Sequence, residues 1–369
     1  MRLGIAILLL LVVLFTMSYQ TVEAAPEQYE KAVVQQVMIL PQTEKKAAFP
    51  EKLELVALEL KTGPHQGETV TTVHHLPLHS VFSAVDVAVG DRVVVIVSQD
   101  SGETVYHISD FEREPYLYGL LALFALSLIL FGGKIGLKAL LVIALSCGLI
   151  LKVFISLLVS WQDHIILLVF LLCSVIVLFT QTVISGWNVK VRSSILGAIG
   201  GVAIAGILAH IAISLMHLTG LESEEAMMLK ATALPNVDFQ GVLFAGMMLG
   251  ALGAVMDVTI SIASAVAEIK SCLPDSSFRQ LFRAGMNVGR DIMGTMANTL
   301  ILAYVGSSLP LLLLISVQKN MSMEKLMNFN MIATEIVRAL TGSIGLVCSI
   351  PLTALLAAWL FQRRTSLRK

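Results

Sequence analysis

Charge is what this sequence has least of. Asp, Glu, Lys and Arg make up 14 % of its 369 residues, against about 25 % in soluble domains. That shortage excludes a disordered chain and a soluble enzyme of ordinary composition. With a net charge of -1, it also excludes a nucleic-acid binder acting through bulk positive charge. Cysteine is scarce as well. Cys147, Cys173, Cys272 and Cys348 stand far apart with no CxxC or other ligand spacing, so they read as small packing residues. A GxxxxGK[ST] phosphate loop, HExxH, GxSxG and a catalytic Cys–His spacing are all missing, which removes the machinery of an ATP-driven pump, a zinc protease and a serine hydrolase. No catalytic residue, metal or cofactor is expected, and the chain does not read as an enzyme. What is abundant is apolar surface: 56 % of residues are hydrophobic and the mean hydropathy is +0.83. Such a chain crosses a membrane several times.

The average hides two unlike parts. Residues 1–114 carry 8 basic and 15 acidic residues, whereas 115–369 carry 17 basic and 11 acidic ones. Pro115 therefore marks a change of solvent from water to lipid. Residues 1–24 hold an apolar run behind Arg2, with a small-residue site at Ala24-Ala25, and read as a signal peptide or signal anchor. Either form exports the segment behind it. Residues 25–114 read as an extracytoplasmic β-rich domain. Val33–Leu40, Leu53–Leu60, Val70–His74, Arg92–Val97 and Thr104–Ile108 are short β-branched runs between turn signals such as Gly63-Pro64 and Gly90-Asp91. They predict a small barrel of five or six strands. Alternation is clearest in Leu53-Glu54-Leu55 and Leu58-Glu59-Leu60. Five of the eight histidines (His65, His74, His75, His79 and His107) fall here. Neighbours His74 and His75 point to opposite faces of a strand, so they read as hydrogen-bonded or solvated rather than as metal ligands.

Residues 115–369 read as a seven-helix membrane domain with a short cytoplasmic tail, the spans falling near 116–132, 136–159, 164–184, 194–217, 241–265, 292–317 and 339–361. With residues 25–112 outside, Lys134, Lys138, Lys190, Arg192, Lys270, Arg279, Arg283 and Arg290 fall on cytoplasmic connections. Arg363, Arg364, Arg368 and Lys369 end the chain on that side, while Lys230, Lys319, Lys325 and Arg338 are external. This twelve-to-four bias is the positive-inside pattern. It places the C-terminus on the cytoplasmic side. Leu221–Leu234 and Ser322–Leu340 read as amphipathic helices in the outer interface.

The fifth span carries the strongest constellation. Gly246, Gly250, Gly253, Asp257, Ser261, Ser264 and Glu268 recur at spacings of three and four, one stripe of a helix. Its glycines offer close helix packing, and its inner part sets hydroxyls between two carboxylates. Asp257 lies eleven residues from Glu268, about 16 Å deeper into the membrane. A carboxylate at such depth costs about 2.5–3.5 kcal/mol or more unless it is protonated, paired or wetted. An ion or proton path accounts for that cost; so does a protonated Asp257 held in a structural hydrogen bond. On the sixth span Asp291, Thr295 and Asn298 share a face, and Asn298 reaches the depth of Asp257. Asp291 also suits a first helical turn, where acid offsets the dipole. Asp257 and Asp291 are the only pair available to an intramembrane aspartyl protease, and Asp291 is too near the interface for one. On the fourth span Ser194, Ala198, Gly201, Ala205 and Ala209 form a second small-residue stripe, with His210 beyond it.

The stretches Phe244–Glu268 (FAGMMLGALGAVMDVTISIASAVAE), Gly285–Asn298 (GMNVGRDIMGTMAN) and Glu335–Thr353 (EIVRALTGSIGLVCSIPLT) resemble the YibE/F-like family of bacterial integral membrane proteins. The resemblance spans roughly residues 85–361 and is densest over 240–300. It implies a multi-pass protein of the bacterial cytoplasmic membrane and carries no catalytic residues with it. Two functions fit the residues. The first is a secondary transporter or permease for a small solute or ion, with Asp257, Ser261, Glu268, Asp291 and Asn298 as the path and Gly246, Gly250 and Gly253 packing helices. The second is a non-transporting scaffold or sensor whose exported domain binds an envelope protein. Expected partners are the lipid bilayer, the solute or ion, and a second copy or an envelope protein, but not nucleic acid.

Overall fold

The computed structural model describes residues 28–40, 51–77, 85–100, 103–161, 164–317 and 322–366. The N-terminal apolar run, His79, Lys319, Arg368 and Lys369 lie outside the described residues. The chain divides into two compact units, one of strands with the first helix up to Leu130 and one of helices from Phe131 onward.

The first unit is a five-stranded antiparallel sheet: β1 Gln28–Ile39, β2 Glu51–Leu60, β3 Thr69–Pro77, β4 Arg92–Asp100 and β5 Glu103–Phe111. Strand order is β3-β2-β1-β4-β5. Bulges at Val34/Gln36 and Val94/Val95 curl the sheet. Its ends then meet: the Thr72 hydroxyl on β3 donates to the Tyr106 carbonyl on β5. Among the described residues no ladder joins β3 to β5, so the sheet is a half-barrel and not the closed barrel expected. The core holds Val34, Val56, Leu58, Val93, Val95 and Tyr106. In β2 the two alternating motifs have opposite phase, and an unbulged strand can satisfy only one. Val56, Leu58 and Leu60 take the core side, which carries Glu54 inside at 2 % exposure and leaves Leu53 and Leu55 on the other face. His74 and His75 do point to opposite faces; His74 Nε2 bonds the Val85 carbonyl at 2.8 Å. Lys31 ties β1 to the chain entering the first helix, 3.0 Å from Glu112 and 2.6 Å from Glu114. Hydrogen bonds to Glu114 and Glu112 raise the pKa of its ammonium group above the ordinary lysine value.

Helices begin with α1 (Glu114–Gly148), which passes through a π-helical turn at Leu149–Phe154 into α2 (Ile155–Ser160). Next come α3 (Ile165–Ser185), α4 (Val189–Leu215), α5 (Glu224–Thr232), α6 (Phe239–Cys272), α7 (Phe278–Ser307), α8 (Leu309–Val317), α9 (Met323–Met327) and α10 (Asn330–Ser366). Polar caps start several of them: Asn188 accepts from Val191 N–H, Asp238 from Gln240 N–H, and Ser277 with Gln280 forms a capping box.

Among the described residues, five helices are long and apolar enough to cross a membrane, or six if the bent pair α7–α8 is one span. Seven were expected, and the difference lies in the first two. Glu114–Ser160 runs on as 47 residues, about 70 Å at 1.5 Å per residue against a core of about 30 Å. Its helical geometry fails at Gly133, where φ is 53° and ψ is -129°, a conformation natural only to glycine. The expected sixth span is not straight either. It bends by 63° between α7 and α8, where Pro310 restricts the residue before it and lacks an N–H. The interfacial helix expected over Ser322–Leu340 is divided: α9 stands alone and everything from Asn330 belongs to α10. Within the other expected segment, Leu221–Leu234, a helix does form, as α5.

The helical core is built on close approach of α4 to α10. A Cβ on Gly345 would stand 2.5 Å from Ala205 Cβ, and one on Gly201 would stand 2.6 Å from Ser349 Cβ. The predicted stripe on α4 is accordingly buried, with Ser194 and Ala198 both at 0 % exposure. Helix α7 rests on α6 and α10 through Gly285, against Ala354 and Val266, and Gly289, against Ile350 and Ile262. The last helix runs through Pro351; the Ser349 and Thr353 hydroxyls bond the Leu346 and Ser349 carbonyls at 2.7 Å.

Candidate functional site

Helix α6 has two faces of opposite character. One is packed: Phe244, Met248, Val255, Ile262 and Val266 are all buried. Thr259 on this side receives a 3.1 Å hydrogen bond from Ser194 of α4. The other face is the sequence stripe, and it is largely uncovered. Gly246, Gly250, Gly253, Asp257, Ser261 and Glu268 are exposed, and Ser264 is half-buried. At Gly246 and Gly253 no atom lies within 4 Å of where a Cβ would stand. Gly250 alone is approached, by the Tyr304 hydroxyl of α7. That hydroxyl is buried without a hydrogen-bond partner among the described residues.

The hydroxyls of the stripe are tied to their own helix. Ser261 Oγ donates to the Asp257 carbonyl at 2.7 Å and Ser264 Oγ to the Ile260 carbonyl at 2.6 Å. Their side chains therefore do not reach the carboxylates. On α7, Asp291, Thr295 and Asn298 lie away from the packed side, while Gly285, Gly289 and Leu300 turn inward. Thr295 Oγ1 bonds the Ile292 carbonyl at 2.9 Å. Among the described residues no hydrogen bond or ion pair joins Asp257, Ser261 or Glu268 to Asp291 or Asn298. The structure thus places each candidate on an open helix face and does not draw the two faces into one bonded network. What the arrangement offers is a polar strip with free carboxylates, flanked by glycines that leave room beside it.

Three features escaped sequence reasoning. Near the start of α10, Glu222 Oε1 accepts from Asn330 Nδ2 and Thr334 Oγ1, both at 3.0 Å, closing the loop before α5 onto α10. Gln181 on α3 is 4 % exposed with neither amide atom bonded among the described residues. A cavity of about 570 Å³ opens between α3, α4 and α6. His164, His210 and Asp238 are its polar lining, and its walls include Phe170, Ile207, Phe244 and Met248. Of the three polar residues only His210 stands out in the sequence. The only available signals for His164 and Asp238 were their positions just before helical segments.

Long apolar helices with one packed face and a half-barrel ahead of them define a multi-span helical membrane protein. The family profile described as YibE/F-like protein matches residues 120–363. That is more than half of the chain, and the chain belongs to this family. The match begins after the strands, so it vouches for the helical part rather than the wider 85–361 resemblance. Among curated proteins and among solved structures, none matches the chain.

Proposed function

We propose that this protein is a secondary transporter or permease of the bacterial cytoplasmic membrane, moving a small solute or ion with Asp257 as its proton or cation site. The observation that carries this reading is the uncovered position of Asp257 on a helix whose opposite face is packed. An ionised side chain turned to hydrocarbon costs about 2.5–3.5 kcal/mol or more. Unless Asp257 is protonated, the face is therefore wetted or covered when the protein sits in a bilayer, and a wetted strip of carboxylates and small residues is a path. Ser261, Glu268, Asp291 and Asn298 extend the polar surface to either side. Gly246 and Gly253 leave open space on that face.

Transport in proteoliposomes tests the assignment. Asp257→Asn preserves the volume and a hydrogen-bonding head but cannot titrate. The expected result is a flux reduced by about tenfold or more, as for loss of a group of pKa-dependent function, together with a flattened pH profile. Unchanged rate and pH dependence would remove Asp257 from the mechanism.

A further inference from the structure

The cavity between α3, α4 and α6 is separate from the Asp257 strip. Helix α6 contributes Phe244 and Met248 to it, which sit on the packed side away from Gly246 and Gly250. Its volume of about 570 Å³ falls in the range of about 300–1,000 Å³ typical of small-molecule sites. Its polarity is uneven. His164 immediately precedes α3, Asp238 caps α6, and His210 lies five residues before the end of α4. Helix α4 runs antiparallel to α3 and α6, which brings all three polar groups to one end, and apolar walls fill the remainder. Ile166, Leu167, Ile207 and Ile211 line the cavity and are themselves exposed, so it opens sideways, onto the surface that meets lipid tails.

We propose that this cavity binds a membrane amphiphile, with an acyl chain against Phe170, Ile207, Phe244 and Met248 and an amine–phosphate headgroup at His164, His210 and Asp238. A water-soluble solute would leave most of its polar groups unpaired against these walls. An acyl chain enters through the lateral mouth without leaving hydrocarbon. The headgroup assignment rests on the charges. Asp238 Oδ1 accepts the α6 cap bond from Gln240 N–H at 3.0 Å, and Oδ2 bonds nothing among the described residues, so it is available to an ammonium. Imidazole N–H groups of His164 and His210 suit phosphate oxygens. The proposal is independent of transport through Asp257.

The full chain in nanodiscs is exposed to phosphatidylethanolamine or phosphatidylglycerol carrying a photoactivatable diazirine on one acyl chain, and the adducts are mapped by peptide mass spectrometry. Adducts are expected at Phe170, Ile207 and Met248 well above those at Leu355, an exposed apolar residue of α10. Ala203 also lines the cavity; filling it with Ala203→Trp should reduce the cavity adducts by about tenfold, the equivalent of about 1.4 kcal/mol, and leave Leu355 labelling unchanged. Ile207→Trp, at the exposed mouth, should do the same if Ala203→Trp does not fold. His210→Ala and Asp238→Asn, the latter keeping the cap acceptor, should erase the preference for phosphatidylethanolamine. Cavity adducts no stronger than at Leu355, or unmoved by both Trp variants, would show bulk lipid only and overturn the proposal. Equal labelling by the two headgroups in the unaltered chain would overturn the headgroup assignment.

Discussion

At the scale of single residues, the half-barrel turns on the contact between Gly63 and Glu30. Glu30 is 5 % exposed on the core side of β1. Gly63 stands over its carboxyl with φ at +90°, and a Cβ there would lie 2.0 Å from Glu30 Oε1. Any other residue must adopt a left-handed backbone, at about 1–2 kcal/mol, and also displace a buried carboxyl. Gly67 shares the φ, at +89°, but a Cβ on it would meet nothing within 4 Å. Gly63→Ala should therefore destabilise the strands by about 2 kcal/mol or more, and Gly67→Ala by about half of that. Hydrogen exchange in β1 and β2 of the full chain measures both; equal losses would mean that the Glu30 contact imposes nothing. The sequence marks Gly63-Pro64 as a turn, because glycine and proline punctuate locally. It cannot show Glu30 beneath the turn, since that contact joins residues 33 positions apart. The same limit governs β2: Leu53-Glu54-Leu55 and Leu58-Glu59-Leu60 each alternate perfectly, and only tertiary packing chooses the phase that buries Glu54.

At the scale of elements, two helices carry small-residue stripes that look alike in the sequence and differ in the structure. On α4 the stripe is covered by α10, which begins more than a hundred residues later; on α6 it is bare. Periodicity says which residues share a face, and it was right for Gly246 to Glu268. Whether a face is covered depends on which helix arrives, and this is not written locally. Hydropathy has the complementary blindness. It found the apolar segments but neither the single broken residue at Gly133 nor the bend before Pro310, because neither changes apolar content. The contrast between stripes gives a direct test. Gly345→Val must push apart α4 and α10 at a 2.5 Å approach, and overpacking of that kind costs about 1–3 kcal/mol. Gly253→Ala adds a methyl where no atom lies within 4 Å and should leave thermal unfolding in detergent within about 0.5 kcal/mol of the parent. A Gly253→Ala protein as unstable as Gly345→Val would mean that α6 is not bare in the folded protein.

For the whole molecule, the number of crossings decides which side the strands occupy, and it reduces to whether Glu114–Ser160 crosses once or twice. With α7 and α8 taken as one bent span, the long helices from α3 onward cross in alternate directions. If the C-terminus lies inside the cell, Ser160 lies outside. One crossing would leave the strands in the cytoplasm; two would export them. Length favours two. The limbs before and after Gly133 have 19 and 27 residues within the 47, about 28 and 40 Å, each near or above the hydrocarbon thickness of about 30 Å. Charge agrees, because Lys134 and Lys138 come just after the break and would be retained inside. The check is thiol labelling with a membrane-impermeant maleimide. Gln66→Cys, in the exposed turn between β2 and β3, should react in intact cells. The native Cys272, exposed at the C-terminal end of α6, should react only after permeabilisation. Protection of both sites until permeabilisation would mean a single crossing and a cytoplasmic half-barrel. It would also end the idea of an exported domain binding an envelope partner, while leaving the Asp257 strip and its transport test intact.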